Sequence, residues 1–212
     1  MKSYDRILFL DFDGTITSEE TLEGAMRLCI DPALYAEKEA EMREGKRSLA
    51  DTIHLAFGLI SCERLEAIKA YVRGVPIRSG FEALLDTAAS QGIPVVVISG
   101  GLKPCIDEKL APYRDRLLDV YSVETDCEGD RMILRSPYEA EGDLMEKTRV
   151  MARYDYREAI CAGDGYTDRR MALASQVVFA RDKLALLLDS QGVPYRPWQD
   201  FYDLAAFISS SR

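Results

Sequence analysis

Histidine is nearly absent from this chain, which has a single one, His54, among 212 residues. With one histidine, a Ser-His-Asp triad or a Cys-His pair cannot be built anywhere except around His54. A single histidine also excludes the usual zinc sites, which combine several histidine and cysteine ligands. Catalytic chemistry away from His54 therefore has to come from other side chains.

The chain also lacks paired cysteines and long apolar runs. Its five cysteines are scattered, with no CxxC motif: Cys29, Cys62, Cys105, Cys127 and Cys161. We expect them to be reduced and structural, which predicts an intracellular setting. The first residues pass directly into a predicted strand without an apolar leader, and no run approaches the length of a membrane span. The sequence therefore predicts a cytoplasmic protein with no membrane partner.

Positive charge is scarce too, with 27 Lys and Arg against 36 Asp and Glu and a net charge of −9. Nucleic-acid binding needs a basic face, so this acidic balance counts against a nucleic-acid partner. A small phosphorylated ligand remains possible, because local charge decides its binding. Apolar residues make up 47% of the chain, which is enough for a sizeable core in one domain with a smaller insert.

Two carboxylates stand at the end of the first apolar run. Residues 5–11 are typical of a strand buried on both faces, and Asp11 and Asp13 follow on the same side of an ideal strand. Gly14 permits a sharp turn immediately afterwards. An aspartate can attack phosphorus as a covalent nucleophile if a cation and a neighbouring acid assist it. The alternative is an ordinary strand end with Asp-Gly turn chemistry.

A hydroxyl and two glycines follow the second predicted strand, residues 93–98. Ser99, Gly100 and Gly101 would let backbone N–H groups approach a phosphate closely. The alternative is a plain glycine-rich turn.

A third predicted strand, residues 158–161, leads into the sequence GDGYTD at 163–168. Asp164 and Asp168 lie four residues apart with glycines beside the first. Magnesium binds few protein carboxylates and shares phosphate oxygens, so this spacing suits it. The alternative is a loop followed by a helix whose first turn favours an acidic residue.

A lysine could neutralise Asp11 and the oxygens of a phosphoryl group. Lys147 precedes the third strand and is favoured by its place in the order of the motifs. Lys103, four residues after Ser99, is the alternative.

Helical periodicity between Thr17 and about Tyr71 predicts four short antiparallel helices inserted after the first strand. Beyond them, strands alternate with helices, which predicts a parallel sheet with ligands at the carboxyl ends of the strands. The remaining predicted elements are helices over 80–91, 143–154, 167–174 and 182–190, a hairpin over 120–134, a strand over 176–179 and a short helix in the tail.

These motifs together resemble the four signature motifs of the haloacid dehalogenase (HAD) superfamily. The resemblance spans about residues 5–182. It implies an α/β fold, with a Rossmann-like core containing a parallel sheet and a small helical-bundle cap of the C1 type. The implied division is a catalytic core of residues 1–16 and 77–212 and a cap of residues 17–76.

The resemblance also implies a Mg²⁺-dependent phosphomonoesterase working through an aspartyl-phosphate. Asp11 would be the nucleophile and Asp13 the general acid and later the base. Ser99 and Lys147 would hold the phosphoryl group. The substrate-binding set adds Thr15, Gly100 and Gly101, and the metal set is Asp11, the backbone carbonyl of Asp13, Asp164 and the supporting Asp168.

Two phosphatase families within the superfamily are similar to this chain. The methionine-salvage phosphatases that act on 2-hydroxy-3-keto-5-methylthiopentenyl-1-phosphate are similar over more of its length, including residues 179–182 and 199–202. Phosphoserine phosphatases are the alternative, similar around residues 11–13, 20–21 and 79–101. Functions of another class are a phosphotransferase or phosphomutase and a non-catalytic phosphometabolite-binding protein.

Cap residues are candidates for specificity. Glu20 could bind a substrate amino group, or it could bond back to the helix start in a capping box with Thr17. Phe57 and Met42 are expected to pack within the cap and not to form a pocket for a thioether.

Overall fold

A seven-stranded sheet organises the chain in the computed structural model, which describes residues 3–210 apart from the side chain of Arg43. The strand order is β4-β3-β2-β1-β5-β6-β7, and only the β3–β4 pair is antiparallel. The strands are β1 (Ser3–Leu10), β2 (Val95–Leu102), β3 (Asp119–Glu128), β4 (Arg131–Arg135), β5 (Asp155–Gly163), β6 (Val177–Ala180) and β7 (Arg196–Pro197). The fold is α/β with a mostly parallel sheet, as predicted.

Ten α-helices accompany the sheet within residues 3–210. They are α1 (Thr21–Cys29), α2 (Pro32–Arg43), α3 (Leu49–Phe57), α4 (Leu65–Gly74), α5 (Phe81–Ser90), α6 (Lys103–Leu110), α7 (Lys147–Met151), α8 (Arg169–Leu173), α9 (Asp182–Gln191) and α10 (Phe201–Ser210). None of them combines the length and apolar character that crossing a bilayer requires.

The central strand β1 is buried on both faces, as its apolar run predicts. It pairs in parallel with β2 on one side and β5 on the other. Because side chains alternate along a strand, Ile7 and Phe9 join one apolar cluster, whereas Leu8 and Leu10 join the cluster on the opposite face. This double burial fixes the register of β1 and holds its carboxyl end in place.

The four helices predicted between the first strand and residue 71 are confirmed as α1–α4. We call residues 17–76 the cap and the rest of the chain the core, a division that remains a prediction. The connecting segments run side by side, since Thr17 and Ile77 form an antiparallel bridge. The predicted hairpin is also confirmed as β3 and β4.

The predicted helix over 143–154 is wrong in its extent, because α7 covers only Lys147–Met151. Glu146 ends the preceding loop and caps the helix by accepting a hydrogen bond from the Thr148 N–H at 3.1 Å. Asp143 pairs instead with Ala140 in an antiparallel bridge, across a turn in which Glu141 and Gly142 have positive φ. The sequence prediction also missed α6 and the short β7.

The prediction that all five cysteines are reduced is wrong for two of them. Cys62, at the start of the turn before α4, forms a disulfide with Cys127 of β3. Their sequence separation of 65 gave no sign of this contact, which arises because the cap meets the β3–β4 hairpin. The disulfide removes the cysteine-based argument for an intracellular setting. Cys29, Cys105 and Cys161 are free thiols.

Candidate active site

The three motif-bearing strands β1, β2 and β5 lie side by side, so their carboxyl ends meet at one edge of the sheet. Asp11 follows the last residue of β1 directly, Ser99 lies in the last half of β2, and Asp164 follows the last residue of β5. The central position of β1 places its carboxylates between the other two motifs. The fold therefore brings together segments more than 60 residues apart in sequence.

Lys147 joins two of the aspartates. Its ammonium donates to Asp11 Oδ1 and, at 2.5 Å, to Asp168 Oδ1. The side chain of Lys147 is 2% exposed. Burial alone would lower the pKa of Lys147, but the charges of Asp11 and Asp168 outweigh it and raise that pKa above its usual value. Lys147 is therefore a fixed cation beside Asp11.

Lys103, the alternative lysine, lies elsewhere. It is half-exposed, and its ammonium lies 3.4 Å from Glu124 and 3.9 Å from Asp107. The structure therefore brings Lys147, and not Lys103, to Asp11.

Asp168 holds the loop that carries Asp164. Its Oδ2 accepts hydrogen bonds from the N–H groups of Asp164 at 3.0 Å and Gly165 at 2.9 Å. A Cβ on Gly163 would lie 2.5 Å from the Asp168 side chain, so only glycine fits there. Both oxygens of Asp168 are thus occupied, one by Lys147 and one by backbone, which suits a supporting role.

Asp164 is oriented by the segment that follows Asp11. The Thr15 hydroxyl donates to Asp164 Oδ1 at 2.7 Å. Gly14 has a φ of +71°, and a Cβ there would lie 2.3 Å from Asp164 Oδ2, so conformation and space both require glycine. Thr15 is fully buried. The sequence analysis assigned Thr15 to substrate binding. In the structure its hydroxyl bonds to Asp164, and Thr15 does not line the cavity.

Asp11, Asp164 and Asp168 could hold a metal ion. Each contributes a carboxylate oxygen, these oxygens lie within 4.8 Å of one another, and all three residues are buried. Burial and the charge of Asp168 raise the pKa of Asp164 to about 6, and the same two causes raise that of Asp11. Lys147 alone cannot balance this much buried negative charge. A set of hard oxygen ligands with excess negative charge fits Mg²⁺.

Asp13 has a different environment, on the cap side of the site. Its Oδ1 accepts hydrogen bonds from the N–H of Thr21, at 3.0 Å, and from the Thr21 hydroxyl, and its Oδ2 accepts one from the Ser99 hydroxyl at 3.2 Å. Burial raises the pKa of Asp13, although these hydrogen bonds oppose the rise. Its side chain lies outside the three-aspartate cluster. Asp13 is therefore suited to carry a proton.

Sequence reasoning missed Thr21, the first residue of α1. It stands eight positions after Asp13, and nothing in that spacing indicates a contact. The contact depends on the direction in which the chain leaves the core.

The segment Ser99, Gly100 and Gly101 is partly open to the cavity described below. The Gly101 N–H donates to the Ser99 hydroxyl at 2.9 Å. A Cβ on Gly101 would lie 2.8 Å from Asp13 Oδ2, so glycine is needed for this close approach. Gly100 lines the cavity, whereas Ser99 is fully buried.

A cavity of about 470 Å³ opens above this cluster, between cap and core. Its inner end contains Asp11, Asp13, Gly100 and Lys147. Much of its wall is apolar and comes from the cap: Leu22, Met26, Ile30, Met42, Leu49, Ile53, Ala56 and Leu59. Met42 therefore faces the cavity, contrary to prediction, whereas Phe57 is fully buried in the apolar cluster as predicted.

Glu20 lines the same cavity. The capping-box alternative is wrong, because α1 begins at Thr21 and the Glu20 side chain makes no bond to the helix start. The Thr17 hydroxyl instead donates to Phe12 O at 3.0 Å. Burial, together with the charges of Asp164 and Asp13, raises the pKa of Glu20 to about 8.

Comparison with known proteins gives a family match and a set of similar chains. Residues 8–173 match the family model described as haloacid dehalogenase-like hydrolase. A 2-hydroxy-3-keto-5-methylthiopentenyl-1-phosphate phosphatase from Microcystis aeruginosa (strain NIES-843) is 34% identical, over 96% of this chain and 97% of its own. A protein of the same name from Brevibacillus brevis is 29% identical, over 95% of this chain and 94% of its own.

Solved structures share the fold. A HAD family hydrolase from Salmonella enterica serovar Typhi has a TM-score of 0.80 at 19% identity, covering 99% of this chain and 73% of its own. A phosphoserine phosphatase from T. onnurineus has a TM-score of 0.71 at 19% identity, covering 99% of this chain and 96% of its own. At such identities the likeness bears on the fold alone.

Proposed function

This chain belongs to the haloacid dehalogenase-like hydrolase family and is a phosphatase, and from this premise we propose that it hydrolyses a small phosphomonoester, with Asp11 as nucleophile and Mg²⁺ as cofactor. The observation that carries the proposal is the contact of Asp11 with the buried Lys147 ammonium at the inner end of a cavity. A carboxylate held beside a fixed cation can approach a phosphate dianion that it would otherwise repel.

In the first step a carboxylate oxygen of Asp11 attacks phosphorus and forms an aspartyl-phosphate. The ester P–O bond breaks, and its electron pair stays on the leaving oxygen, which takes the proton from Asp13. The burial that raises the pKa of Asp13 supports its protonated form before this step.

In the second step the Asp13 carboxylate takes a proton from water while the water oxygen bonds to phosphorus. The bond between phosphorus and Asp11 breaks, its electron pair returns to the carboxylate, and inorganic phosphate is released. Thr21 and Ser99 keep Asp13 in place through both proton transfers.

Asp11, Asp164 and the backbone carbonyl of Asp13 would hold the magnesium ion, with Asp168 in support. When bound, it supplies positive charge that offsets the repulsion between Asp11 and the phosphoryl oxygens. Thr15 serves this site by orienting Asp164 through its 2.7 Å hydrogen bond.

For the substrate we propose a phosphomonoester with an apolar thioether tail, of which 2-hydroxy-3-keto-5-methylthiopentenyl-1-phosphate is the example named in the relatives. The apolar cap wall, which includes Met26, Met42 and Ile53, supports this choice. Methionine and aliphatic side chains pack well against a methylthio group. Glu20 and Lys183 line the same cavity and are placed to contact the oxygens of the carbon skeleton.

Phosphoserine is the competing substrate, and its ammonium and carboxylate would both need polar partners. Glu20 could meet the ammonium as a carboxylate only after losing the proton that its raised pKa, about 8, favours at neutral pH. The apolar character of most of the cap wall favours the thioether substrate.

The experiment measures inorganic phosphate released from the thioether pentenyl phosphate, phosphoserine and an aryl phosphate, with and without Mg²⁺. We expect Mg²⁺-dependent release, with the highest kcat/KM for the first substrate. Asp11→Asn should abolish release. Asp5→Asn, an exposed carboxylate on the same strand, should behave as the wild type and serve as the matched control.

Two outcomes contradict the proposal. Unchanged turnover in Asp11→Asn would exclude Asp11 as the nucleophile. Preference for phosphoserine would overturn the proposed substrate and leave the reaction class intact.

A further inference from the structure

The two segments that connect cap and core form a short hinge, residues 16–18 and 76–78. Beside the bridge between Thr17 and Ile77, the Ser18 N–H donates to Pro76 O at 2.9 Å. The Arg78 N–H donates to Ile16 O at 2.8 Å. Arg78 is therefore the last residue of the segment that returns from the cap. It lies next to the outgoing segment, which runs from the proposed nucleophile Asp11 into the cap.

The Arg78 side chain reaches over that outgoing segment and binds its backbone. Nε donates to Thr15 O at 2.9 Å, and Nη2 donates to Gly14 O and, at 3.4 Å, to Thr17 O. One guanidinium thus contacts three carbonyl groups within four residues. Arginine holds its donors apart in a rigid planar fork, which suits carbonyl groups spread along a segment, whereas lysine carries all three of its donors on one nitrogen.

Arg78 is itself held by an aromatic ring. Its guanidinium carbon lies 5.3 Å from the ring centroid of Trp198, which is 4% exposed. Arg181 lies over the same ring at 5.4 Å, but its polar contacts go to Asp182 and to Gln199 O. Two arginines therefore share one tryptophan, and only Arg78 bonds to the outgoing segment.

The carbonyl groups that Arg78 holds belong to residues that shape the site. Gly14 lies against Asp164, and the Thr15 hydroxyl orients Asp164. Asp13 immediately precedes them. A shift of this segment would therefore move the general acid and a proposed metal ligand together, and a misplacement of about 1 Å can lower a rate about 100-fold.

We propose that Arg78 is a positioning residue for the reaction: it holds the segment of residues 13–17 in its active geometry and couples that segment to the hinge. The inference rests on the roles proposed above for Asp13 and Asp164. Arg78 is not among the residues that line the cavity. Its guanidinium acts through the backbone of Gly14, Thr15 and Thr17.

The test compares Arg78→Lys and Arg78→Met with Arg181→Lys and Arg181→Met. Arg78→Lys retains the positive charge and loses the fork, so it separates geometry from electrostatics. We expect both Arg78 variants to lower kcat by about 10- to 100-fold with KM changed less than about threefold. Arg181 shares the tryptophan contact but does not bond to the outgoing segment, so the Arg181 variants should retain kcat within about twofold.

Two further measurements separate positioning from a general loss of structure. Trp198 is the only tryptophan in the chain, so thermal melting followed by its fluorescence reports whether each variant is folded. Guanidinium ion added to Arg78→Ala should restore part of kcat and leave the wild-type kcat unchanged. A purely structural role predicts no such rescue.

Wild-type kcat in Arg78→Lys would overturn the proposal, as would an equal loss of kcat in the Arg181 variants. Should Arg78→Met fail to fold, Arg78→Lys decides alone. If the wild type releases no phosphate from any phosphomonoester, the proposed function fails and the positioning role fails with it. Turnover by the wild type with an unchanged kcat in Arg78→Lys overturns the positioning role alone.

Discussion

The Lys147 ammonium and the Asp168 carboxylate lie 2.5 Å apart, and neither side chain is more than 2% exposed. The same ammonium contacts Asp11. Breaking a buried ion pair by removing one partner leaves an uncompensated charge in the core. The lysine therefore has a structural as well as a chemical role, and the two can be measured separately.

Lys147→Met should lower the free energy of unfolding by about 3–5 kcal/mol in the absence of Mg²⁺ and should lower kcat at least about 100-fold. Chemical denaturation and phosphate release measure the two effects. Lys103→Met is the matched control, since that lysine makes only exposed ion pairs worth at most about 1 kcal/mol. Equal effects in the two variants would contradict the assignment.

Protons should compete with Mg²⁺ for Asp164, whose pKa is raised from 3.8 to about 6 by burial and by Asp168. Protonation of Asp164 alone should make Mg²⁺ bind about fourfold more weakly at pH 5.5 than at pH 7.5. Isothermal titration calorimetry measures both constants. Identical affinities at the two pH values would count against Asp164 as a ligand.

The sign of the stability change without Mg²⁺ follows from the same pKa. The folded protein binds the proton of the Asp164 carboxyl more tightly than the unfolded chain does. This proton therefore adds its full share to the free energy of unfolding below about pH 4, and that share is lost as the pH rises through about 6. Asp164→Asn should weaken this dependence in thermal melts recorded in EDTA and leave the part that comes from Asp11, Asp13 and Glu20, whose pKa values burial also raises.

Thiol titration tests the disulfide. Burial raises the pKa of Cys105 and of Cys161 to about 12, so neither should react with Ellman's reagent in the native protein at pH 8. We expect one reactive thiol, Cys29, in the native state, three in denaturant and five after reduction. Five thiols in denaturant without reductant would show that the disulfide does not form.

Reduction should also destabilise the protein. Closing a loop between residues separated by 65 positions stabilises the folded state by about 4 kcal/mol in the chain-entropy model. Cys62→Ser should lose a similar amount and should show four thiols in denaturant.

Met42→Ala should lower kcat/KM for the thioether pentenyl phosphate about tenfold, because a cavity wall discriminates through the apolar contacts it makes. The same variant should change kcat/KM for an aryl phosphate less. Leu28→Ala is the control, since Leu28 is an exposed cap residue outside the cavity lining. Equal losses for both substrates would argue against a thioether contact.

The central site could be predicted from sequence because each motif lies in the last half of a buried apolar strand or directly after one or, for Lys147, begins the helix before one. Once parallel strands are inferred, their carboxyl ends must meet, and Asp11, Ser99 and Asp164 come together. The four cap helices were equally predictable from their periodicity and from the glycine and proline residues between them.

The residues that support the site could not be predicted in this way. Thr21 reaches Asp13 only because the chain enters the cap in a particular direction, and Arg78 reaches Gly14 only because the hinge segments pair. Cys62 and Cys127 meet where cap and hairpin touch. The predicted helix could not begin at Asp143 because that residue pairs with Ala140 across a turn in which Glu141 has positive φ, a conformation that its residue type does not favour.

The most direct test of the account is to trap the covalent intermediate in Asp13→Asn, which lacks the base for its hydrolysis. With an aryl phosphate, whose leaving group needs little acid assistance, we expect one equivalent of phenol in a burst. Mass spectrometry of the acid-quenched protein should then find one phosphoryl group on the peptide that contains Asp11. A phosphoryl group on another residue, or none at all despite the burst, would contradict Asp11 as the nucleophile.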